Sequence, residues 1–374
     1  MKYLFVVQGE GRGHFTQALV MQERIRMRGD EIAAFLVGKS SARQLPDYFL
    51  NQATAPVIQF ESPNFLPAAQ NKRPGLWKSV FYNLLKLPVF ISNMNFIRKQ
   101  IKLYEPDIVL NFYELLTGLT YLFMPPSIPM VCIGHQYMFL HRKFRFPKKS
   151  PVELFFLKFF TRLTSMGADR RLALSFYPMG DDISRHIVVV PPLLRSEVTR
   201  LEPVKGDYIL GYMLNSGYLS EISKWHEHNP EETLHFFWDK KDAAERLDIS
   251  STFSLFRIND KSFLKQMAGC KAYSTTAGFE SVCEALYLQK PVLMVPAHIE
   301  QECNAFDALR AGAGIVSDNF DLSALLQSVA IYKPNTLFRR WVANADTLIF
   351  SELKEVYLSH KYPERKGLIW NYHA

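Results

Sequence analysis

Cysteine is scarce in this sequence. Only four of its 374 residues are cysteines, at positions Cys132, Cys270, Cys283 and Cys303. They lie far apart and lack the short spacings that bring cysteines together around a zinc ion or in a disulfide framework. The sequence therefore predicts neither a zinc site nor disulfide bonds, and a reducing cytoplasm is the simplest location for the protein.

Long apolar runs are also missing. The first apolar stretch, residues 3–7, is too short for a secretory leader and runs into QGEGRGH without a small-residue cleavage site. The longest candidate for a membrane span, residues 115–133, is interrupted by Pro125, Pro126 and Pro129, so it predicts a helix, a turn and a strand. We expect a cytoplasmic protein, and the charge pattern leaves open a position at the inner face of a membrane.

Acidic residues are missing from one long segment. Residues 62–104 contain seven Lys or Arg and no Asp or Glu, and residues 139–171 contain nine basic residues against two acidic ones, interleaved with phenylalanines. An apolar helical stripe in the first segment consists of Trp77, Val80, Phe81, Leu84 and Leu85. Such surfaces could contact an anionic membrane or an anionic substrate, or they could be a solvated basic face over an aromatic core. No nucleic-acid-binding signature accompanies the charge, so no nucleic-acid partner is predicted.

Three glycines precede a histidine in the segment GEGRGH, which contains Gly11, Gly13 and His14. An apolar strand pattern comes before this segment and an amphipathic helical pattern follows it. In that position glycine lets the backbone approach a ligand, and the helix N-terminus offers unpaired N–H groups. The spacing differs from the G-x-G-x-x-G of dinucleotide sites, and the second strand lacks the carboxylate that those sites need. A ligand-binding loop and an ordinary tight turn both remain open.

Short apolar runs alternate with amphipathic helical patterns along the whole chain. This alternation is typical of parallel sheets with helices on both faces. Changes in proline content and charge predict an N-terminal α/β domain at residues 1–195, a linker at 196–206, a C-terminal α/β domain at 207–345 and a helical tail at 346–374 that packs back on the N-terminal domain. Two such domains facing one another would enclose a ligand cleft at the carboxyl ends of both sheets.

The segment STTAGFESVCEALYL combines a strand, a turn of small residues and a helix. Gly278 stands where the helix begins, so backbone N–H groups there could hold a phosphate or diphosphate. Glu284 lies further along the same helix, at a reach that suits a ribose diol. Glu300 and Gln301 follow a proline-containing loop and offer the acceptors and donors that a sugar with several hydroxyls requires.

The order G-F-E-S-V-C-E, then K-P-V-L-M-V-P, then E-Q-x-x-N-A resembles the donor half of enzymes with the glycosyltransferase-B fold, and it is most similar to the MurG-like family. The segments GEGRGH, PDIVLNFYELLTG, IPMVCIGHQY and VVPPLLR resemble further parts of the same family. The resemblance implies an α/β protein of two facing Rossmann-like domains with an interdomain cleft. It also implies a nucleoside-diphosphate sugar as the donor.

The resemblance assigns Glu284 to the nucleotide ribose, Gly278 and Ser281 to the diphosphate turn, and Glu300 with Gln301 to the sugar. The chain departs from the family in three places. Thr276 and Ala277 stand where many relatives have a histidine before the glycine, the usual Asp before Gln is Glu300, and the second-domain glycine loop is only NSG. The implied donor site consists of Gly11, Gly13, Asn215, Ser216, Ile258, Thr275, Thr276, Gly278, Ser281, Glu284, Glu300 and Gln301.

A D-x-D pair is absent from the sequence, so a metal ion that bridges the donor diphosphate is not predicted, and no cofactor is expected. The helix N-terminus near Gly278 would stabilise the leaving diphosphate instead. Inverting transfer needs one general base to take the proton of the acceptor hydroxyl. Three side chains follow N-terminal strands and compete for this role, in the order His14, His135 and Glu114.

The sequence thus predicts an inverting, metal-independent glycosyltransferase that uses a nucleoside-diphosphate sugar, with UDP as the favoured nucleotide. In the MurG-like family the N-terminal domain meets a membrane-borne lipid acceptor, so the resemblance implies a lipid or glycan acceptor and peripheral membrane contact through that domain. A nucleotide-sugar epimerase of the same fold and a non-catalytic sugar-nucleotide-binding protein stay as alternatives.

Overall fold

A seven-stranded parallel sheet forms the centre of the N-terminal half. The computed structural model describes residues 1–41, 43–63, 86–148, 150–213, 216–238 and 243–363. The strands of the first sheet are β1 (Lys2–Gln8), β2 (Glu31–Lys39), β3 (Val57–Glu61), β4 (Ile108–Phe112), β5 (Met130–Gly134), β6 (Arg170–Leu174) and β7 (Ile187–Val190). Their order in the sheet is β3-β2-β1-β4-β5-β6-β7, and all six pairings are parallel.

Helices cover both faces of this sheet. They are α1 (Arg12–Met27), α2 (Asp47–Gln52), α3 (Leu87–Tyr104), α4 (Leu115–Phe123) and α5 (Pro151–Thr164). All five residues of β4 and all five of β5 are buried. Strands with helices on both faces have no side that meets water, which explains why these segments are continuous apolar runs in the sequence.

The second sheet has seven strands as well, namely β8 (Tyr208–Met213), β9 (Thr233–Trp238), β10 (Arg246–Asp248), β11 (Phe253–Arg257), β12 (Ala272–Thr275), β13 (Val292–Met294) and β14 (Gly314–Val316). Their order is β10-β11-β9-β8-β12-β13-β14, and only β10 runs antiparallel to its neighbour. Apart from that edge strand, each sheet has its first strand in the middle, and later strands are added first on one side of it and then on the other. This arrangement puts ligands at the carboxyl ends of the strands.

The helices of the C-terminal half follow the same alternation. They are α6 (Ser196–Thr199), α7 (Leu219–Glu227), α8 (Asp260–Gly269), α9 (Phe279–Tyr287), α10 (Ile299–Arg310), α11 (Leu322–Ile331), α12 (Thr336–Ala343) and α13 (Ala345–Lys361). Helix α13 lies against β6 and β7 of the first sheet. Arg170 of β6 contacts Glu352 and Glu355 of this helix, at 3.3 and 2.9 Å.

The predicted fold class is confirmed, because two parallel-sheet α/β domains face one another. Each apolar run that the sequence analysis treated as a strand forms one. The residue numbers proposed for the domain boundaries and the linker stay predictions. The apolar stripe of Trp77, Val80, Phe81, Leu84 and Leu85 lies outside the described residues. No helix in the described part of the chain is long and apolar enough to cross a membrane.

Candidate active site

The carboxyl ends of both sheets meet in one interdomain cleft. From the first domain, the cleft receives the N-terminus of α1 after β1 and the 3-10 helix His135–Leu140 after β5. From the second domain, it receives the N-termini of α9 and α10, which follow β12 and β13. Contacts between these four segments cross the cleft directly, and they bring several of the predicted site residues together.

His14 lies in the first turn of α1 and is only 7% exposed. Its ring stacks on Tyr113, with 5.4 Å between ring centroids. Tyr113 follows β4 and has φ of 63°, a left-handed conformation that costs free energy for a bulky residue and occurs most often at functional sites. Burial lowers the pKa of His14, although the carboxylates of Glu280 and Glu300 oppose this effect. The ring is therefore neutral at pH 7, as a general base requires.

Glu300 joins the two domains. Its Oε1 atom lies 3.1 Å from Nε2 of His135 and 3.2 Å from Nε2 of Gln136, both in the first domain. Burial alone would raise the pKa of Glu300, but the hydrogen bond from His135 and electrostatic interactions with His135, His298 and His14 hold it at about 2, in an acid range where the histidine rings can carry charge. A permanently ionised carboxylate thus lies opposite His14 in the cleft.

The ring of His135 stacks on Phe279, the first residue of α9, with 4.5 Å between centroids and an angle of 7° between the planes. The amide nitrogen of Asn304 in α10 lies 3.4 Å from Nε2 of His135. His135 therefore contacts the second domain by both its flat face and its edge. The sequence analysis correctly placed His135 at the end of β5 in the first domain. Its side chain, however, contacts Phe279 and Asn304, which belong to the second domain.

Glu280 in the first turn of α9 contacts the glycine loop of the first domain. Nε2 of Gln17 donates to Oε1 of Glu280 over 2.6 Å. A Cβ atom built on Gly13 would lie 2.5 Å from Oε2 of Glu280, which is closer than Cβ atoms approach other atoms. A Cβ atom on Gly11 would find its nearest neighbour, His14, at 3.8 Å. Of these two glycines, only Gly13 lies where a side chain would collide with a neighbour.

This difference predicts contrasting effects of two alanine substitutions. We expect Gly13→Ala to push Glu280 away from α1 and to lower the transfer rate, while the melting temperature of the protein changes little, because the clash involves the end of a flexible side chain. Gly11→Ala should leave the rate close to that of the parent, because its backbone is extended at φ of −114° and space is free. Steady-state kinetics and thermal denaturation of both variants check this, and equal losses in the two variants would contradict it.

Two unpaired hydroxyls lie buried in the strand that leads into the turn between β12 and α9. Thr275 Oγ1 and Tyr273 OH are buried, and neither has a hydrogen-bond partner in the described part of the protein. Ala277 has φ of 61°, which turns the backbone sharply before Gly278 caps the helix. Ser281 Oγ donates to the Gly278 carbonyl over 3.2 Å. A helix N-terminus above unsatisfied hydroxyls is suited to a phosphate group.

Glu284 lies on α9 and is 2% exposed. Both Nε and a terminal nitrogen of Arg195 contact its Oε1, at 2.7 and 2.6 Å. Arg195 also lies 3.8 Å from Asp260, which pairs with Arg12 of the first domain at 3.1 Å. Burial raises the pKa of Glu284 and Arg195 opposes this rise. A chain of alternating charges thus runs from Arg12 through Asp260 and Arg195 to Glu284 and joins the two domains.

A cavity of about 300 Å³ adjoins this charged chain. It lies between α1, α2 and α8, and Arg195 and Asp260 form part of its wall together with Tyr48 and Lys261. Arg195, which pairs with Glu284, is the wall residue that connects the cavity to that buried carboxylate.

Glu114 lies apart from the cleft groups described above. Its fully buried carboxylate caps α4, accepting from the backbone N–H groups of Leu116 and Thr117 and from the hydroxyls of Thr117 and Ser62. Burial raises its pKa, and these four hydrogen bonds act in the opposite direction. Its lone pairs are already engaged within the first domain, so we keep Glu114 last among the three candidate bases.

The remaining predicted donor residues have varied surroundings. Gln301 accepts from the backbone N–H of Ala297 over 2.9 Å, and Thr276 is buried. Ile258 donates its backbone N–H to the carbonyl of Trp238, at the carboxyl ends of β9 and β11. Asn215 lies outside the described residues, and Ser216 begins a short 3-10 helix next to them.

The sequence analysis missed four cleft residues that these contacts reveal, namely Gln17, Gln136, Arg195 and Glu280. Gln136 and Arg195 belong to the segments IPMVCIGHQY and VVPPLLR, whose resemblance to the family could have drawn attention to them. Glu280 belongs to G-F-E-S-V-C-E in the same way. Gln17 lies in no segment that resembles the family, and its contact with Glu280 joins positions that are 263 residues apart. In the described ranges, no group of three or more His, Cys, Asp or Glu side chains could hold a metal ion.

Comparisons with known proteins agree with this geometry. The family model described as Glycosyl transferase family 1 matches residues 1–331. No curated protein matches the sequence.

Solved structures show the same fold. A UDP-glucosyltransferase from Polygonum tinctorium has a TM-score of 0.64 at 13% identity, with 95% of this chain and 98% of that chain covered. UGT89C1 from Arabidopsis thaliana has a TM-score of 0.62 at 16% identity, with 96% and 99% covered. MurG from Acinetobacter baumannii has a TM-score of 0.55 at 12% identity, with 95% and 100% covered. The family match spans most of the chain, so the protein belongs to glycosyl transferase family 1 and is a glycosyltransferase with the glycosyltransferase-B fold.

Proposed function

We propose that this glycosyltransferase transfers a sugar from a nucleoside-diphosphate sugar, with UDP as the nucleotide, to a hydroxyl of a lipid or glycan acceptor, and that it does so with inversion and without a metal ion. One observation carries the proposal. A buried, neutral His14 from the first domain lies in the same cleft as Glu300 and the α9 N-terminus of the second domain. A base on one side and sugar and phosphate groups on the other are what direct displacement at an anomeric carbon needs.

The donor half of the proposal rests on α9 and its surroundings. The diphosphate would bind at the helix N-terminus, where Thr275 and Tyr273 have free hydroxyls. The ribose diol would bind Glu284, whose second oxygen is left free by Arg195. Glu300 and Gln301 would bind the sugar hydroxyls. The choice of UDP is supported by two neighbours, because one is named a UDP-glucosyltransferase and UGT89C1 is described as a complex with UDP-L-rhamnose.

The reaction follows from this placement. His14 takes the proton of the acceptor hydroxyl as its oxygen attacks the anomeric carbon, and the bond from that carbon to the diphosphate oxygen breaks on the opposite face. The positive end of the α9 dipole and its N–H groups stabilise the negative charge that develops on the leaving diphosphate. This supply of positive potential comes from the backbone, so the proposed reaction has no step that requires a metal ion.

The acceptor side of the proposal rests on the surface of the first domain. Helix α5 exposes Phe155, Phe156 and Phe159, which are 59%, 40% and 47% exposed. Phe155 and Phe159 stack on each other with 6.1 Å between centroids. Basic residues on the same helix, Lys158 and Arg162, accompany this aromatic surface. Exposed aromatics with basic neighbours favour contact with an anionic bilayer, where a lipid acceptor would be found.

A donor screen tests the proposed function. Melting temperatures are measured with UDP, GDP, dTDP and their sugar conjugates, for the parent and for Glu284→Ala. A ligand that binds only the folded protein raises the melting temperature. We expect UDP and one UDP-sugar to stabilise the parent. Glu284→Ala should bind roughly 10- to 100-fold more weakly, because a hydrogen bond to a charged group contributes about 1.5–3 kcal/mol.

The products of the stabilising UDP-sugar then distinguish the alternatives. Slow release of free sugar and UDP supports a transferase, whereas conversion to a stereoisomer indicates an epimerase, and tight binding without turnover indicates a binding protein. If no nucleotide stabilises the parent at millimolar concentration, the proposed donor site is wrong.

The membrane contact has a separate test. We expect the parent to sediment with vesicles that contain anionic phospholipid and not with neutral vesicles. Phe155→Ser/Phe159→Ser should lose this association while its melting temperature stays close to that of the parent, because both rings are exposed. Unchanged sedimentation of the double variant would contradict a contact through α5.

A further inference from the structure

Two glutamine side chains contact carboxylates of the second domain next to His14. Nε2 of Gln17 donates to Oε1 of Glu280 over 2.6 Å, and Nε2 of Gln136 donates to Oε1 of Glu300 over 3.2 Å. An ionised carboxylate accepts hydrogen bonds and donates none, so each contact fixes which end of the amide faces the carboxylate. The orientation of both amides relative to His14 follows from these contacts.

The amide of Gln136 faces one nitrogen of the His14 ring. Its Nε2 atom, already oriented by Glu300, lies 3.4 Å from Nε2 of His14. An amide NH₂ group has two donors, and the second of them points to His14, so Nε2 of the ring must offer a lone pair. The amide oxygen lies on the other side, where a Cβ atom on Gly134 would be only 2.9 Å away. Because residue 134 is glycine, the Gln136 amide has enough space to adopt this orientation.

The amide of Gln17 provides the complement on the other side of the ring. Because its nitrogen donates to Glu280, its Oε1 atom is the acceptor that remains. This oxygen and Nδ1 of His14 are both buried, and neither has a hydrogen-bond partner at normal distance among the residues that the structure describes, so a donor and an acceptor are left over on this side of the ring. Burial lowers the pKa of His14, and side-chain hydrogen bonding with Gln17 opposes that lowering, as expected when the ring donates to Gln17.

We propose that Gln17 and Gln136 are positioning residues that hold the proton of neutral His14 on Nδ1 and leave Nε2 as the atom that accepts the acceptor's proton. This inference rests on the proposed function, in which His14 is the base. When the acceptor hydroxyl takes the place of the weak Gln136 contact, its proton moves to Nε2 and the ring becomes an imidazolium. The oxygen forms the new bond to the anomeric carbon, and the diphosphate leaves with the electron pair of the bond that breaks.

The same network separates His14 from His135. Nε2 of His135 lies 3.1 Å from the Glu300 oxygen that also accepts from Gln136. Because that oxygen only accepts, and lies closer than the Asn304 amide nitrogen at 3.4 Å, Nε2 of His135 carries a hydrogen and has no lone pair for the substrate. Of His14 and His135, the two histidines that this network contacts, only His14 has a free lone pair on its Nε2 atom. His135 acts on the sugar-binding carboxylate instead.

The tautomer of His14 can be read directly by NMR. Long-range ¹H–¹⁵N correlations are recorded at pH 7.5 on protein labelled with ¹⁵N at its ten histidines, without substrate. The signals of His14 are assigned by their loss in His14→Asn. We expect Nδ1 to show the shift of a protonated nitrogen and Nε2 that of an unprotonated one. A proton on Nε2, or averaged shifts of two tautomers, overturns the proposal.

This measurement does not depend on turnover. A resting protein with the proton on Nδ1 but without any transfer activity would contradict the proposed function alone, and active protein with the other tautomer would contradict this inference alone.

Substitutions of Gln136 provide a second measurement. Gln136→Met keeps the volume but removes the donor, so we expect a mixture of tautomers and a kcat about tenfold lower at an unchanged donor dissociation constant. Gln136→Glu places a carboxylate beside Nε2 and favours the imidazolium, so the acid limb of the kcat/KM profile should move up by about one pH unit or more.

Gln22 is a matched control. It is buried on α1, the helix that carries His14 and Gln17, but its amide bonds Gln52 and Thr54 and makes no hydrogen bond to His14. Gln22→Met should change neither the His14 shifts nor the pH profile. A purely structural role for Gln136 would predict lower activity with an unmoved acid limb in both Gln136 variants. That result, or an equal effect of Gln22→Met, overturns the proposal.

Discussion

His14→Asn is expected to lower kcat by about 10²- to 10⁴-fold, the range that a positioned general base contributes. The donor dissociation constant should stay the same, because the proposed ribose and diphosphate contacts all belong to the second domain. Because burial lowers the pKa of His14, the acid limb of kcat/KM in the parent should lie below pH 6.5, which is about the ordinary value for histidine. Activity is therefore lost only when the pH falls below that value. Steady-state kinetics across pH and donor titrations measure both expectations.

His141 provides the control for this prediction. It is 4% exposed and belongs to the first domain, but its ring bonds the Gly180 carbonyl and the Lys143 backbone N–H outside the cleft. His141→Asn should lower the melting temperature and leave kcat unchanged. If His14→Asn retained most of its kcat, or lost donor affinity in proportion to kcat, His14 would not be the base.

Arg195→Met is expected to lower the free energy of unfolding by about 3–5 kcal/mol at neutral pH, because it leaves the buried carboxylate of Glu284 without its cation. Without Arg195 the pKa of Glu284 in the folded protein rises further above the unfolded value of about 4.3. The unfolded chain then ionises at a lower pH than the folded protein, so the deficit grows as the pH rises and disappears below that unfolded value. Urea denaturation between pH 4 and pH 8 measures this dependence.

The double variant Arg195→Met/Glu284→Gln separates the lost charge from lost packing. It removes the buried charge together with its partner, so most of the stability should return and the pH dependence should vanish. Replacing both members of a buried ion pair is often neutral for stability. A double variant as unstable as Arg195→Met would show that Arg195 stabilises the protein by packing and not by its pairing with Glu284.

The fold could be predicted from the sequence because the patterns that identify its strands and helices each lie within a short segment of the chain. Buried parallel strands must be apolar along their whole length, as β4 and β5 are, and prolines mark where helices end. Three strands of the second sheet, β10, β11 and β14, escaped prediction. The buried part of β11, Phe253–Leu255, includes Ser254 and so is not a continuous apolar run. The other two, β10 and β14, have only three residues each, and no residue of either is buried, so no apolar run identifies them.

The candidate site could be predicted only as far as strand ends determine it. His14, His135 and Glu114 each follow a strand of the first sheet, and sequence position alone cannot separate them. Their surroundings differ because of residues that lie far away in the chain, such as Glu300, which is 165 residues from His135. Glu114 is a less usual helix cap than Ser, Thr, Asp or Asn, so nothing in its local sequence announced that its carboxylate would be used for capping.

The paired amides around His14 are oriented by carboxylates that both belong to the opposite domain. If the domains move apart, Glu280 and Glu300 withdraw, the amides are free to rotate, and the imidazole loses the arrangement that makes it a base. Under the proposed function, His14 can then take the acceptor's proton only while the two domains are in contact. Water in an open cleft would meet a His14 ring whose tautomer is not fixed. The proposed network would in this way limit hydrolysis of the sugar donor before an acceptor has bound.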